Sequence, residues 1–243
     1  MEKMTRIFMT VMLMLAISSS AVLAGNWSST SMSILNGSGY ELASSEDATI
    51  LTLEHASGWA YGDNFLFFDV FQPFEDDTGI YGEWHPRFSF GKISKSDLSF
   101  GPVKDVLLAT ELNFGCGNRA YLYGLGLDLD IPHFSFFAVN FFIRDDPTIV
   151  DETTFQISPS WNIPFTLGET KWTLGGFLDY AGAEGDNQEA HLLFVPQLLL
   201  DVSNFADAPG NLFVGVEYQS WTNKYGVDAV EESVFQFMAK WFF

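Results

Sequence analysis

The side chains best suited to chemistry in this chain are carboxylates and phenyl rings that recur at every second position. Phe65, Phe67 and Asp69 alternate with apolar neighbours, and Asp179 and Glu217 stand in similar alternating stretches. Carboxylates accept hydrogen bonds from hydroxyl groups, and aromatic rings stack on flat solutes. This combination favours reversible binding of a small solute over covalent chemistry. The full set of candidate binding residues is Phe65, Phe67, Asp69, Arg87, Glu111, Asp128, Phe177, Asp179 and Glu217.

The histidines and the single cysteine give no sign of a catalytic or metal centre. The histidines are His55, His85, His133 and His191, and none lies in a Gly-x-Ser-x-Gly or His-Glu-x-x-His motif. Cys116 stands in a predicted glycine-rich turn and has no second cysteine with which to form an internal disulfide. We therefore expect a protein that is not an enzyme and that needs no metal and no cofactor.

Alternation of polar and apolar residues extends through most of the chain and predicts strands rather than helices. A strand points successive side chains to opposite faces, and Gly, Asp, Asn and Pro break the alternation at turns. No segment with helical periodicity is expected after the first 24 residues. The predicted strands are about 29–36, 48–56, 64–72, 82–90, 103–114, 119–129, 134–144, 153–163, 171–181, 190–202, 211–221 and 232–243.

The final segment, 231–243, distinguishes an open sheet from a closed one. From Phe235 every second residue is Phe, Phe, Ala, Trp and Phe, while Gln236 and Lys240 lie on the other face. An edge strand of a soluble sheet rarely exposes such an aromatic face, because it would invite aggregation. In a membrane barrel this strand pairs with the first one, and its apolar face meets acyl chains. We therefore predict an all-β, transmembrane antiparallel β-barrel of about 12 strands, with a soluble sandwich as the alternative.

In such a barrel the more polar face of each strand lines the interior. A lysine or arginine that faced lipid near the midplane would cost about 2–4 kcal/mol, so Arg87 is predicted to point inward, beside a carboxylate. Two interpretations of this inner face stay open. Its rings and acids bind solute, or its rings fill a narrow lumen while its acids pair with Arg87. Besides the nine candidates, the predicted inner face contains Glu54, Phe71, Asp105 and Asp201.

Four prolines interrupt the predicted strands. Proline has no main-chain N–H and therefore removes a hydrogen bond from a sheet. Pro86, Pro159, Pro164 and Pro196 are expected at strand ends or at bulges, although Pro196 falls in the middle of segment 190–202.

The composition limits the class of protein and its partners. Of the 243 residues, 47% are hydrophobic and 17% are charged, which excludes a disordered chain. No internal run of about 18 apolar residues occurs, so membrane-spanning helices are not expected. The 25 phenylalanines suit aromatic girdles at the two membrane interfaces. The net charge of −20 disfavours nucleic acid polymers as partners and favours cations and neutral solutes in a pore.

The first 24 residues have the pattern of a secretory signal peptide. Lys3 and Arg6 precede the apolar stretch 7–17, and small residues then lead to Ala24. A basic head, a short apolar stretch and a small-residue cleavage site are typical of a signal that is removed on export. We expect residues 1–24 to be cleaved and residues 25–243 to form the outer-membrane barrel.

One block of the sequence resembles a known family. Residues 86–89 read Pro-Arg-Phe-Ser, and residues 97–102 read Asp-Leu-Ser-Phe-Gly-Pro, with Lys104 beyond them. This block resembles the Tsx/OmpK family of nucleoside-specific outer-membrane channels. Weaker similarity to the family lies in the Phe-Asp-Val-Phe of residues 68–71 and the Gly-Leu-Gly-Leu-Asp of residues 124–128.

The resemblance implies a twelve-stranded monomeric barrel in the outer membrane of a Gram-negative bacterium, through which nucleosides diffuse passively. Some family members serve as phage receptors, so phage is a candidate partner besides outer-membrane lipid and small solutes. The alternative function is a structural barrel, or a phage or surface receptor, with a largely closed lumen. The block itself can also be structural, because Asp97 and Ser99 have the chemistry of a turn.

Overall fold

Twelve antiparallel strands close into a single barrel. The computed structural model describes residues 25–75, 78–115, 117–149, 152–186 and 188–243. Consecutive strands are hydrogen-bonded neighbours, and β1 pairs with β12 to complete the ring. The strands are β1 (Gly25–Ser38), β2 (Asp47–Trp59), β3 (Gly62–Phe71), β4 (Gly79–Ser89), β5 (Val103–Gly115), β6 (Asn118–Leu129), β7 (Phe136–Asp145), β8 (Thr153–Leu167), β9 (Thr170–Ala181), β10 (His191–Asp201), β11 (Leu212–Thr222) and β12 (Glu232–Phe242).

The pairing of β1 with β12 confirms the predicted closed sheet. Leu35 on β1 lies opposite Met238 on β12 and opposite Ile50 on β2, so the first strand has a neighbour on each side. Because every strand of the ring is flanked in this way, the sheet leaves no free edge to pair with another chain. A closed sheet also satisfies its main-chain hydrogen bonds internally, as a segment inside a membrane requires.

The last strand, β12, shows how the barrel separates its two faces. Phe235 and Phe237 are 68% and 78% exposed, whereas Val234 and Gln236 are buried. The buried face of a single closed sheet is its concave, inner side. The outer side therefore carries the predicted aromatic stripe, which suits contact with acyl chains.

Apolar side chains pack inside the barrel in two places. Each group lies on the inner face of neighbouring strands and takes up space that a solute would otherwise fill. One cluster includes Leu35, Ile50, Leu199, Val234 and Met238, and the other consists of Ala109, Ala120, Leu122 and Phe142.

Short helices occur between strands, and the prediction of no helix was wrong in this respect. Helix α1 (Phe90–Ser94) follows β4, and two 3-10 helices span Val202–Ala206 and Lys224–Gly226. The Ser89 side chain caps α1 by accepting a hydrogen bond from the Lys92 amide at 3.0 Å. Helices this short are invisible to a periodicity argument, which needs several turns. Among the described residues, no helix has the length and apolar character needed to cross a membrane.

The family-like block at residues 97–102 forms the turn that leads into β5, as its composition predicted. The Ser99 amide donates a hydrogen bond to the Asp97 carboxylate at 2.9 Å. The hydroxyl and the amide of Ser99 together hold the pKa of the exposed Asp97 carboxyl below its ordinary value. Gly101 has a φ of +54°, a left-handed conformation that glycine adopts without steric cost. These local contacts give the block a structural role.

The prolines lie inside strands, so their predicted placement at strand ends or bulges was wrong for Pro86, Pro159 and Pro196. Each of these three pairs normally with one neighbouring strand. On the other side the pairing is interrupted beside the proline and resumes in the same register. Pro164 also lies inside β8, but beyond Asn162, the last residue of β8 that pairs with β7. The missing N–H therefore interrupts the hydrogen-bond ladder locally without shifting the register of the strands.

We expect Gly124 and Gly126 on β6 to differ in their tolerance of alanine. A Cβ atom at Gly124 would lie 1.9 Å from the main-chain oxygen of Phe141, which cannot move without displacing β7. A Cβ atom at Gly126 would first meet the Asn140 side-chain oxygen at 2.7 Å, and that side chain can rotate. Gly124→Ala should lower the free energy of unfolding by about 1 kcal/mol through overpacking, and Gly126→Ala by less. Urea unfolding followed by tryptophan fluorescence measures both variants, and equal losses would contradict the expectation.

Two predictions concern residues for which the structure is not described. The signal peptide at residues 1–24 and the cysteine at position 116 lie outside the described ranges. Cleavage of the signal peptide therefore stays a prediction.

Candidate solute site inside the barrel

All nine candidate binding residues lie on the inner face of the barrel. The hydrogen bond from Arg87 on β4 to Asp128 on β6 passes over β5 and is possible only on the concave side. Residues that pair across neighbouring strands share a face, so the strand registers assign the other candidates to the same side. Alternation predicted this face because the opposite face of most strands is mainly apolar.

A cluster of ionisable side chains joins β4 and β5 on the inner face. The His85 Nε2 atom lies 2.7 Å from the Glu83 Oε2 atom, and the His85 Nδ1 atom lies 3.2 Å from the Glu111 Oε2 atom. The Tyr81 hydroxyl donates a hydrogen bond to Glu83 at 2.6 Å. The Glu111 side chain is only 4% exposed. The imidazole thus bridges two carboxylates that the alternation pattern alone would leave separate.

A second polar group continues this layer across the barrel to β7, β8 and β9. The Arg144 guanidinium donates to the Gln156 side-chain oxygen at 2.8 Å, and the Gln156 amide donates to Asp179 at 3.3 Å. The Asp179 carboxylate lies close enough to Glu83 and His85 to interact electrostatically with both. Strands β4 and β9 are five positions apart around the ring, so the two walls approach each other here. The lumen is therefore narrow at this level.

Aromatic rings cover the β3 side of the same region. The ring centroids of Phe65 and Phe67 are 6.0 Å apart, and Phe65 lies 5.7 Å from the His85 ring. Phe67 lies 6.0 Å from the Tyr81 ring. All four rings are half-buried, so they line open space rather than a filled core. Strand β3 is six positions from β9, which puts the predicted residue Phe177 on the opposite wall.

Two of the predicted carboxylates are held by neutral donors. The Thr52 hydroxyl donates to Asp69 at 2.6 Å. The side-chain amides of Gln197 and Gln236 donate to Glu217 at 2.6 and 2.8 Å. An ionised carboxylate offers roughly four acceptor sites. These two residues therefore retain acceptor capacity for the hydroxyl groups of a solute.

Arg87 is a brace between strands. Its Nε and Nη2 atoms donate to the Asp63 carboxylate at 2.8 and 2.9 Å, and its Nη1 atom donates to Asp128 at 2.8 Å. The bidentate contact with Asp63 and the contact with Asp128 together use most of the N–H donors of the guanidinium. The interpretation that the acids pair with Arg87 thus holds for Asp128 but not for Asp69 or Glu217, which have other partners.

Several functional-site residues were absent from the predicted set, for identifiable reasons. Glu83 alternates with His85 and Arg87, so the pattern contained it, but no local signal marked it as part of a cluster. Arg144 precedes Asp-Asp-Pro, which is typical of a turn, whereas β7 extends to Asp145. Asp63 stands one residue before the predicted strand 64–72, whereas β3 begins at Gly62. The earlier start of β3 puts Asp63 on a strand, where its side chain pairs with Arg87 in the interior.

Comparison with known families agrees with this geometry. A model of the family described as "Nucleoside-specific channel-forming protein, Tsx" matches residues 24–229. The chain belongs to the Tsx family. The resemblance seen in residues 86–104 is thereby confirmed over most of the chain. Its curated relatives are named outer membrane proteins, and this Tsx-family protein is a barrel of the Gram-negative outer membrane.

Relatives of this Tsx-family chain include two proteins named outer membrane protein OmpK from Vibrio parahaemolyticus. One is 30% identical over 129 residues, which cover 49% of this chain and 48% of the relative. The other, from serotype O3:K6 (strain RIMD 2210633), is 28% identical over 165 residues, which cover 61% of this chain and 60% of the relative. The chain therefore spans about half to three fifths of the length of these relatives.

Solved porins share the fold of this Tsx-family chain at low sequence identity. The KdgM porin superposes with a TM-score of 0.51 at 12% identity and covers 87% of this chain and 98% of its own. The NanC porin superposes with a TM-score of 0.55 at 10% identity and covers 86% of this chain and 98% of its own. The same KdgM porin was also solved in complex with disordered oligogalacturonate. These similarities establish the porin-like barrel.

Proposed function

We infer that this Tsx-family channel admits nucleosides and small neutral solutes of similar shape, which cross the outer membrane by passive diffusion. A nucleoside presents a flat base and a ribose that carries hydroxyl groups. The observation that supports this best is the pairing of opposite walls in the narrow layer. The half-buried rings of Phe65 and Phe67 form one wall, and Asp179 belongs to the other. One wall is suited to stack on a base while the other accepts hydroxyl hydrogen bonds.

The energies involved suit a channel better than a storage site. Stacking of a base on an aromatic side chain is worth roughly 1–3 kcal/mol, which holds a solute briefly without trapping it. Conduction requires sites of this kind, weak enough to release what they bind. Asp69 and Glu217 extend the acceptor set along the wall, since each keeps unused acceptor sites. In this proposal Arg87 and Asp128 support the wall, and the protein acts as a monomer without catalysis.

A barrel with a largely closed lumen, which acts as a structural protein or surface receptor, is the second candidate function. The inward apolar clusters favour it, because the groups around Leu35 and around Leu122 fill part of the interior. Single-channel recording separates the two functions. A conducting pore that adenosine blocks supports the nucleoside channel, and the absence of conductance supports the closed barrel.

The proposal is tested by liposome swelling with adenosine, thymidine and a sugar of similar size. Entry of both nucleosides should be faster than entry of the sugar, because the aromatic wall adds a favourable interaction that the sugar lacks. Equal rates for the three solutes would identify a general pore and contradict nucleoside selectivity.

Replacing Phe67 with alanine is expected to weaken adenosine block of single-channel current. Loss of one stacking ring at roughly 1–3 kcal/mol corresponds to a rise of about 5- to 140-fold in the blocking constant. Phe68→Ala is the matched control, because the substitution removes the same side-chain volume from the outer face. The Phe68 ring centroid lies there, 5.5 Å from that of Phe114. If both variants keep the wild-type blocking constant, Phe67 is not part of the solute path.

A further inference from the structure

Four inward side chains on β4 and β5 form a two-by-two patch in the lumen wall. Glu83 lies directly opposite Asn113 in the strand pairing, and the same register puts His85 opposite Glu111. Residues directly opposite in an antiparallel pair have Cβ atoms about 4.5–5.5 Å apart. The patch therefore brings one imidazole, two carboxylates and one amide to a common place.

The ionisable members of this patch already converge. The His85 Nε2 and Nδ1 atoms lie 2.7 and 3.2 Å from carboxylate oxygens of Glu83 and Glu111. One potential ligand atom from each of these residues lies within 4.8 Å of the other two. Zinc ligands of this type stand about 2.0–2.2 Å from the ion, which puts them about 3–4 Å from one another. The imidazole would keep one ring nitrogen on the ion and give up its present contact with the carboxylate on the other side.

Asn113 supplies an independent observation that points to a bound group. The residue is only 7% exposed, and its Oδ1 atom is buried and has no hydrogen-bond partner among the described residues. A buried acceptor without a donor costs about 1–3 kcal/mol. The contacts between His85 and the two glutamates do not involve this oxygen. A cation held by Glu83, the cross-strand neighbour of Asn113, would give the oxygen its missing partner.

The charges around the patch also favour a cation. Within the part of the chain that the structure describes, His85 is the only basic group at ion-pair distance from Glu83 or Glu111. Arg144, the basic residue of the neighbouring layer, pairs directly with Asp146 and Gln156 and reaches the two glutamates only through its longer-range electrostatic field. Two carboxylates and one neutral imidazole would carry a net charge that a divalent ion compensates. The side chains of Glu83 and His85 are 16% and 19% exposed, so an ion can enter from the lumen.

We propose that Glu83, His85, Glu111 and Asn113 form a binding site for a divalent transition-metal ion of the zinc type, set in the wall of the lumen. Imidazole nitrogen together with carboxylate oxygen suits zinc and its first-row neighbours, whereas calcium and magnesium prefer sites made of oxygen alone. The proposal is independent of nucleoside passage, because it concerns only ion binding by the wall. An ion at this point adds two positive charges beside the narrow layer that contains Asp179.

Calorimetric titration of the folded barrel in detergent micelles with zinc chloride tests the site. The wild type should bind one zinc ion per chain, and magnesium chloride should give no saturable binding. His85→Gln should abolish the zinc isotherm, and Asn113→Ala should weaken it roughly 10- to 100-fold, as loss of a supporting oxygen does. His55→Gln is the matched control, because His55 pairs with Thr30 at 2.9 Å on the outer face, and it should bind zinc like the wild type.

The folded state of each variant is checked by the shift in electrophoretic mobility on heating, which distinguishes folded barrels from unfolded chains. If His85→Gln does not fold, Glu111→Gln replaces it, since it keeps the shape of the side chain and removes the charge. Zinc should also raise the thermal unfolding midpoint of the wild type and leave that of the folded variant unchanged. Absence of saturable zinc binding in the wild type, or unchanged binding in both variants, would overturn the proposal. Nucleoside block, measured without zinc, tests the channel function separately.

Discussion

Replacing Arg87 with methionine is expected to lower the free energy of unfolding of the barrel by about 3 kcal/mol, near the lower end for removal of one partner from a buried ion pair. The side chains of Arg87 and Asp63 are only 15% and 19% exposed, and that of Asp128 is 29% exposed. Without the guanidinium, two inward carboxylates lose their cation. Asp105 pairs directly with Asp128 across β5 and β6, so their repulsion is no longer offset.

Urea unfolding in lipid vesicles, followed by tryptophan fluorescence, measures this loss. Arg119→Met is the control, because Arg119 lies exposed at the start of β6 and should change stability little. Adding Asp128→Asn to Arg87→Met should recover part of the lost stability, since it removes one of the unpaired charges. If Arg87→Met matches Arg119→Met, the brace contributes nothing to stability.

Replacing Phe237 with arginine is expected to destabilise the membrane-inserted barrel by about 2–4 kcal/mol, the cost of a cation facing lipid near the midplane. Phe237 lies in the middle of β12 on the outer face and is 78% exposed. In lipid this exposure means contact with acyl chains, where the guanidinium has no partner. The folded fraction in vesicles as a function of urea reports the effect.

Phe74→Arg is the matched comparison for this substitution. Phe74 is 79% exposed, almost the same fraction as Phe237, but it lies in the loop after β3. The same change of residue at the same exposure should therefore cost little there, because water solvates the charge. Equal losses at the two positions would mean that the outer face of β12 does not meet lipid.

The strands were predictable because lipid on one side and polar groups on the other impose a period of two on the whole chain. The alternation of Phe235, Phe237 and Trp241 on β12 was enough to predict closure, since an open sheet would leave that face exposed. The prolines were placed wrongly because proline, which lacks a main-chain N–H, was expected only at strand ends or bulges. In the barrel, Pro86 and Pro196 lose pairing on one side only, and the strand continues.

The inner face of the site was predictable, but its contacts were not. Alternation identified Arg87 and Glu111 as inward residues, yet their partners depend on the register between strands. His85 meets Glu111 across 26 positions of sequence, and Arg87 meets Asp128 across 41. No local pattern fixes these pairings, because they arise from the hairpin turns and the closure of the whole ring. Arg144 was the last residue of the predicted strand 134–144, and its contacts with Gln156 and Asp146 likewise depend on the folded ring.

The interrupted pairing beside the prolines has an evolutionary consequence. Two strands that keep their register where a hydrogen bond is missing do not depend on the identity of the residue at that position. At such a position selection needs to preserve only the alternation of inward and outward side chains, and the residue itself is free to change. Porins that share 10–13% of their residues with this chain nevertheless superpose on most of it.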